Sequence, residues 1–106
     1  ISNNLIATQL YRITQESLNN ALQHGRADEI QIRLSQQDDA VTLEICDNGS
    51  GFDSPQSTES ETLRRGMGLR IMEYRASLLG GILQIERNKG PGVTIRCVIP
   101  TRKDET

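Results

Sequence analysis

The sequence predicts an α+β domain, a two-layer α/β sandwich with helices packed on one face of a mixed, mostly antiparallel sheet. Three observations predict it. Two stretches carry apolar residues at three- and four-residue steps. Four stretches alternate apolar with polar residues. Their order is helix, two strands, loop, helix, two strands. With 106 residues the chain has room for one domain, 1–106, and not for two.

Each element has its own signal. Ile6, Leu10, Ile13, Ser17, Leu18, Ala21 and Leu22 share a stripe, so 3–24 reads as a helix capped by Asn3 or Asn4 and ended by Gly25. Ile30, Ile32 and Leu34 alternate with polar residues, which predicts a half-buried strand over 29–35. Gln36 to Asp39 is a polar turn, and Val41, Leu43 and Ile45 mark the second strand of an antiparallel hairpin. Residues 47–66 hold little that could be buried and read as a long loop. Periodicity resumes at Leu69, Met72, Ala76 and Leu79, a second helix terminated by Gly80-Gly81. Leu83 and Ile85 mark a third strand. Asn88-Lys89-Gly90-Pro91-Gly92 is turn chemistry, and Val93, Ile95, Cys97 and Ile99 mark the last strand.

Composition narrows the function. Hydrophobic residues are 35%, with no tryptophan and one phenylalanine, so the core is aliphatic. A net charge of -2 with both signs interspersed gives no basic face for nucleic acid or a membrane surface. No apolar run approaches the roughly 18–20 residues of a membrane span. Cys46 and Cys97 lie in strand-like runs and read as packing residues in a reducing, cytoplasmic setting. The chain opens on isoleucine and reads as a fragment of a longer protein, whose parent could be anchored in a membrane.

Three strings could carry chemistry. Asp47 ends the second strand and is followed by Gly49 and Gly51. A carboxylate there can accept from an amino group, and glycines let a flat ligand approach the backbone. Asp-Asn-Gly is equally ordinary turn sequence. Gly66-Met67-Gly68 stands just before the second helix, where free N–H groups hold phosphates, with Arg64 and Arg65 upstream. It is neither a Walker A loop nor a dinucleotide fingerprint, and a flexible helix entrance explains it as well. Glu16, Asn20 and His24 are spaced by four on one helix stripe. Asn20 can offer an oxygen to magnesium, and Glu16 can act as a general base. A solvated polar face is the plain alternative.

Together the strings resemble a known family. Leu10 to His24 (LYRITQESLNNALQH) is similar to the N box of sensor histidine kinases, in the wording of the subfamily that pairs with NarL-type response regulators. Asp47 to Phe52 resembles their first glycine box, and Gly66 to Ala76 their second. Gly90 to Pro100 resembles the closing strand. The resemblance implies the Bergerat-type ATP-binding fold shared with gyrase, Hsp90 and MutL. It implies that Asn20 ligates Mg2+, that Glu16 is the catalytic base, and that His24 lies near the phosphates. Asp47 would accept from the adenine amino group, and Gly49 and Gly51 would shape the adenine pocket. Arg65, Gly66, Met67, Gly68 and Leu69 would hold the phosphates of ATP, and 52–65 would be the lid.

The resemblance also implies partners: a dimerisation and phosphoacceptor domain of the same kinase, which supplies the acceptor histidine, and a response regulator. The domain alone is expected to be monomeric. Two departures stand out. The family's closing strand begins Gly-Thr, whereas Gly92 is followed by Val93, with Thr94 one place later; such a shift moves the side chain to the other face of the sheet. Gly25 replaces the usual alanine after the N-box histidine. A serine kinase of the anti-sigma-factor type and a degenerate scaffold that no longer binds nucleotide are the alternatives.

Overall fold

The computed structural model describes residues 3–24, 27–49, 59–90 and 92–101. Helix α1 spans Asn3–Asn19 and continues into a π-helical turn, Asn20–His24. Strands β1 (Ile30–Gln37) and β2 (Ala40–Asp47) form the first hairpin. Helix α2 spans Glu59–Leu78, and strands β3 (Ile82–Arg87) and β4 (Val93–Pro100) form the second. The sheet order is β1-β2-β4-β3. Every pairing among the described residues is antiparallel, so the expected mixed component is not seen there.

The pairing register builds apolar rows on one face. Ile45 faces Ile32 on one side and Ile95 on the other, with Ile85 beyond; Leu43 faces Leu34 and Cys97, with Leu83 beyond. The helices lie on this face. Ile13 of α1, Met72 and Ala76 of α2 and Leu79 just past its end are fully buried with Ile45, Cys97 and Ile99. Among the described residues, two side-chain bonds tie the helices together. Ser17 Oγ donates to Met72 Sδ at 3.3 Å, and Arg75 Nη1 donates to Gln9 Oε1 at 3.0 Å.

The other face carries charge. Arg96 Nε donates to Glu44 Oε2 at 2.7 Å, and Arg33 and Glu86 flank the pair at 3.8 and 3.7 Å. The bond from Arg96 to Glu44 raises the guanidinium pKa further. Turns close the design. Asp38 takes a positive φ of 47° in the first hairpin. Helix α2 ends in a Schellman motif, with Gly80 at φ 72° and Gly81 N–H donating to Ala76 C=O at 2.9 Å.

Two expectations need correction. Strand β1 is not half-buried: Ile32 is 50% and Leu34 63% exposed. Its alternation points apolar residues to the helix face, but β1 is the sheet edge and the helices stop short of it. Helix α2 also begins at Glu59, not after the glycines at Leu69. Glutamate, leucine and arginine in 59–65 are good helix formers, and each interior glycine costs only about 1 kcal/mol relative to alanine.

Candidate functional site

The first part of the candidate site lies at the end of the sheet where β2 finishes. The Asp47-Asn48-Gly49 turn is held from two directions. Asp47 Oδ1 accepts from the Gly49 N–H at 2.8 Å, so the carboxylate is fixed by its own turn. Asn48 Oδ1 accepts from the N–H groups of Asp28 and Glu29 at 2.9 and 3.0 Å, which ties the turn to the entry of β1. Among the described residues Asp47 Oδ2 takes no hydrogen bond, so a half-buried carboxylate oxygen is left to accept from a ligand. Gly49 is buried beside it; Gly51 lies outside the described residues.

Helix α1 supplies the second part. Asn20 is 8% exposed, and its Nδ2 is buried with no hydrogen-bond partner among the described residues. An orphaned amide of this kind is expensive, about 1–3 kcal/mol. It sits where the α-helix gives way to the π turn, a distortion found often at functional sites. The stripe is therefore not a solvated face at this position. Glu16, one turn earlier, is half-buried and leans on α2, where a Cβ at Gly68 would run into its carboxylate. His24 closes the π turn, and its side chain lies outside the described residues.

The second glycine string occupies a different setting from the expected one. Gly66, Met67, Gly68 and Leu69 are inside α2, not ahead of it. Gly68 is buried against Glu16 and Leu69 packs on the core, whereas Met67 is 62% exposed. Their N–H groups serve the helix ladder in this conformation. The backbone of Arg65 belongs to the same helix; its side chain is not described. Of the expected lid, 52–58 lies outside the described residues, and 59–65 is helical.

Strand β4 carries the departures from the family's closing-strand pattern. Val93 is buried on the helix face at the end of the sheet that carries Asp47, while Thr94 points to the opposite face and donates to Asn88 Oδ1 at 2.7 Å. The shifted threonine is thus away from the carboxylate, as the register argument expects. Gly92 has φ 108°, and a Cβ there would collide with the Asp47 carbonyl. A concavity of about 450 Å³ lined by Arg33, Glu44, Cys46, Thr94 and Arg96 opens on the charged outer face, on the side of the sheet away from the helices.

The arrangement matches known proteins. Residues 6–103 match the family described as histidine kinase-, DNA gyrase B-, and HSP90-like ATPase. The chain is 36% identical over 91 residues to the signal transduction histidine-protein kinase/phosphatase DegS of Bacillus subtilis, covering 86% of this chain and 23% of that protein. It is 31% identical over 100 residues to the sensor histidine kinase LiaS of the same organism, covering 94% of this chain and 26% of that one. The chain therefore spans about a quarter of the length of these relatives. The ATP-binding domain of PrrB from Mycobacterium tuberculosis superposes with a TM-score of 0.71 at 26% identity, over 91% of this chain and 69% of that one. The histidine kinase domain of the blue-light activated kinase from Erythrobacter litoralis superposes with a TM-score of 0.68 at 26% identity, over 92% and 45%. On this fold and this match, the chain belongs to the histidine kinase-, DNA gyrase B-, and HSP90-like ATPase family.

Proposed function

We propose that this chain is the ATP-binding catalytic domain of a sensor histidine kinase, presenting the γ-phosphoryl group of ATP to a histidine on a separate dimerisation domain, from which a response regulator is then phosphorylated. One observation carries the reading: a half-buried Asp47 carboxylate at the end of β2, held by its own turn, with Oδ2 taking no hydrogen bond among the described residues. Asp47 selects adenine by accepting from its amino group, and Gly49 and Gly92 keep the wall beside it free of side chains. Val93 makes the inner wall apolar.

Asn20 fits a magnesium ion. Its buried Nδ2 lacks a partner among the described residues, and a half-turn of the amide exchanges nitrogen for oxygen at that point. Magnesium takes few protein ligands and keeps waters and phosphate oxygens; when bound, it neutralises phosphate charge. Glu16 is one turn away from Asn20, within the contact between α1 and α2, and is the candidate base. For Gly66 to Leu69 to hold phosphates, their N–H groups must be released from the ladder of α2, so the start of the helix has to move toward Leu69 on binding. No acceptor histidine is needed within this chain; transfer is a matter of positioning the triphosphate against a partner domain.

The test is Asp47→Ala. The change leaves an adenine amino group unpaired in a dry pocket and costs about 2–3 kcal/mol of ATP affinity, roughly 30- to 150-fold. Unchanged ATP affinity in that variant refutes the assignment. The anti-sigma-type serine kinase reading differs in acceptor, and the chemical stability of the phosphorylated partner, acid-labile for histidine and acid-stable for serine, separates the two.

A further inference from the structure

Asn88 lies between β3 and β4, 41 residues from Asp47 in sequence, and it holds the end of β2. Its backbone N–H donates to Gly92 C=O at 3.0 Å. Its side-chain Nδ2 donates to the Asp47 carbonyl at 2.9 Å and reaches Cys46 Sγ at 3.6 Å. Its Oδ1 accepts from Thr94 Oγ1 at 2.7 Å. The amide can face only one way. A carbonyl accepts and never donates, so the NH2 group must point at Asp47, and the Thr94 hydroxyl must donate to the oxygen. The Asp47 carbonyl therefore fixes the amide's orientation, and the Thr94 hydroxyl holds the oxygen on its other side.

The position of this clamp matters. Paired residues of β2 and β4 end at Cys46 and Thr94, one residue short of Asp47. The Asp47 carbonyl, which another ladder rung would have served, is taken by the Asn88 side chain instead. Gly92, just ahead of β4, closes on the same carbonyl, where no Cβ could be tolerated. The carboxylate end of Asp47 is set by its own turn, and the peptide on which that turn is built is set by Asn88.

We propose that Asn88, held in place by the Thr94 hydroxyl, is a positioning residue for Asp47 and so tunes recognition of the adenine amino group. The hydroxyl that stands one place late on β4 is used from behind the sheet rather than inside the pocket. The inference rests on the adenine reading of Asp47, and the experiment separates the two.

Binding of ATP and of purine riboside triphosphate, which lacks the amino group, is measured by calorimetry for six proteins: the parent, Asn88→Ala, Thr94→Val, Thr94→Ser, Asp47→Ala, and the Asp47→Ala, Asn88→Ala double variant. Asn88→Ala and Thr94→Val each weaken ATP about tenfold and leave the amino-free nucleotide within about twofold. Thr94→Ser keeps the hydroxyl and binds as the parent does. In the Asp47→Ala background, Asn88→Ala has no further effect on ATP, because the contact it supports is already gone. Should Asn88→Ala fail to fold, Thr94→Val and Thr94→Ser carry the comparison. Equal weakening of both nucleotides by Asn88→Ala and Thr94→Val, or no weakening of either, overturns the positioning role alone when Asp47→Ala weakens ATP and spares the amino-free nucleotide. If Asp47→Ala still prefers ATP over the amino-free nucleotide as the parent does, the adenine reading falls and this inference with it.

Discussion

Replacing Gly66 with alanine tests whether α2 really runs through the second glycine string. A Cβ built at Gly66 meets nothing within 4 Å. The substitution therefore adds no clash and removes the entropic penalty of an interior helix glycine, about 0.5–1 kcal/mol. For a domain of this size that corresponds to a rise in Tm of about 4–8 °C per kcal/mol. Gly68→Ala is the internal control. Its Cβ would press on the Glu16 carboxylate, with the carboxyl carbon at 3.1 Å, so the same gain is offset by displacing that side chain. Thermal and urea unfolding followed by circular dichroism should show Gly66→Ala clearly more stable than the parent and Gly68→Ala close to it. A lower Tm for Gly66→Ala would mean that the residue needs a conformation only glycine adopts, and the continuous helix would be refuted. The same variant reports on nucleotide. If phosphates take the N–H groups of 66–69, unwinding must precede binding, and about 1 kcal/mol of added helix stability appears as roughly fivefold weaker ATP affinity.

Other outcomes follow from burial. Leu34→Lys, at an exposed edge position, changes stability by less than about 0.5 kcal/mol, whereas Leu43→Ala, its buried partner across the hairpin, costs about 2–5 kcal/mol in denaturant titration. Burial pushes the Cys97 thiol up to about 11, so it stays protonated and inert to thiol reagents at pH 8; Cys46, half-buried on the outer face, is the one modified, as mass spectrometry of a brief alkylation will show. The sign of the linkage is that of a raised pKa. Stability conferred by the neutral Cys97 is complete below its unfolded pKa and declines as pH rises toward 11, visible as a falling Tm that Cys97→Ala does not share.

Much of the fold was legible because its signals are local. The stripe through Leu10, Ile13 and Ser17, the alternation of β2 and β4, and Gly80 at a helix end each reflect a periodicity or a turn that neighbouring residues determine. The start of α2 was not legible. A stretch of serine, threonine, glutamate and arginine has no apolar stripe to mark it, so 59–65 reads like the polar loop before it. Nor does alternation say whether a face is covered, which is why Ile32 and Leu34 looked buried. At the site, Asp47 and Asn20 could be singled out by type and position, and the register shift of Thr94 was readable from one residue of spacing. The clamp from Asn88 to Asp47 was not, because it joins side chain to backbone across two strands and reads locally as turn sequence.

The most direct measurement is a calorimetric titration of this chain with ATP, with and without magnesium, repeated with GTP and with Asn20→Ala. An ATP-binding domain built on Asp47 and Asn20 gives one site per chain and a clear preference for ATP over GTP. Magnesium tightens ATP binding in the parent and does so much less in Asn20→Ala, whose affinity for adenosine is unchanged. No saturable binding of ATP, or equal binding of ATP and GTP, would contradict the nucleotide site.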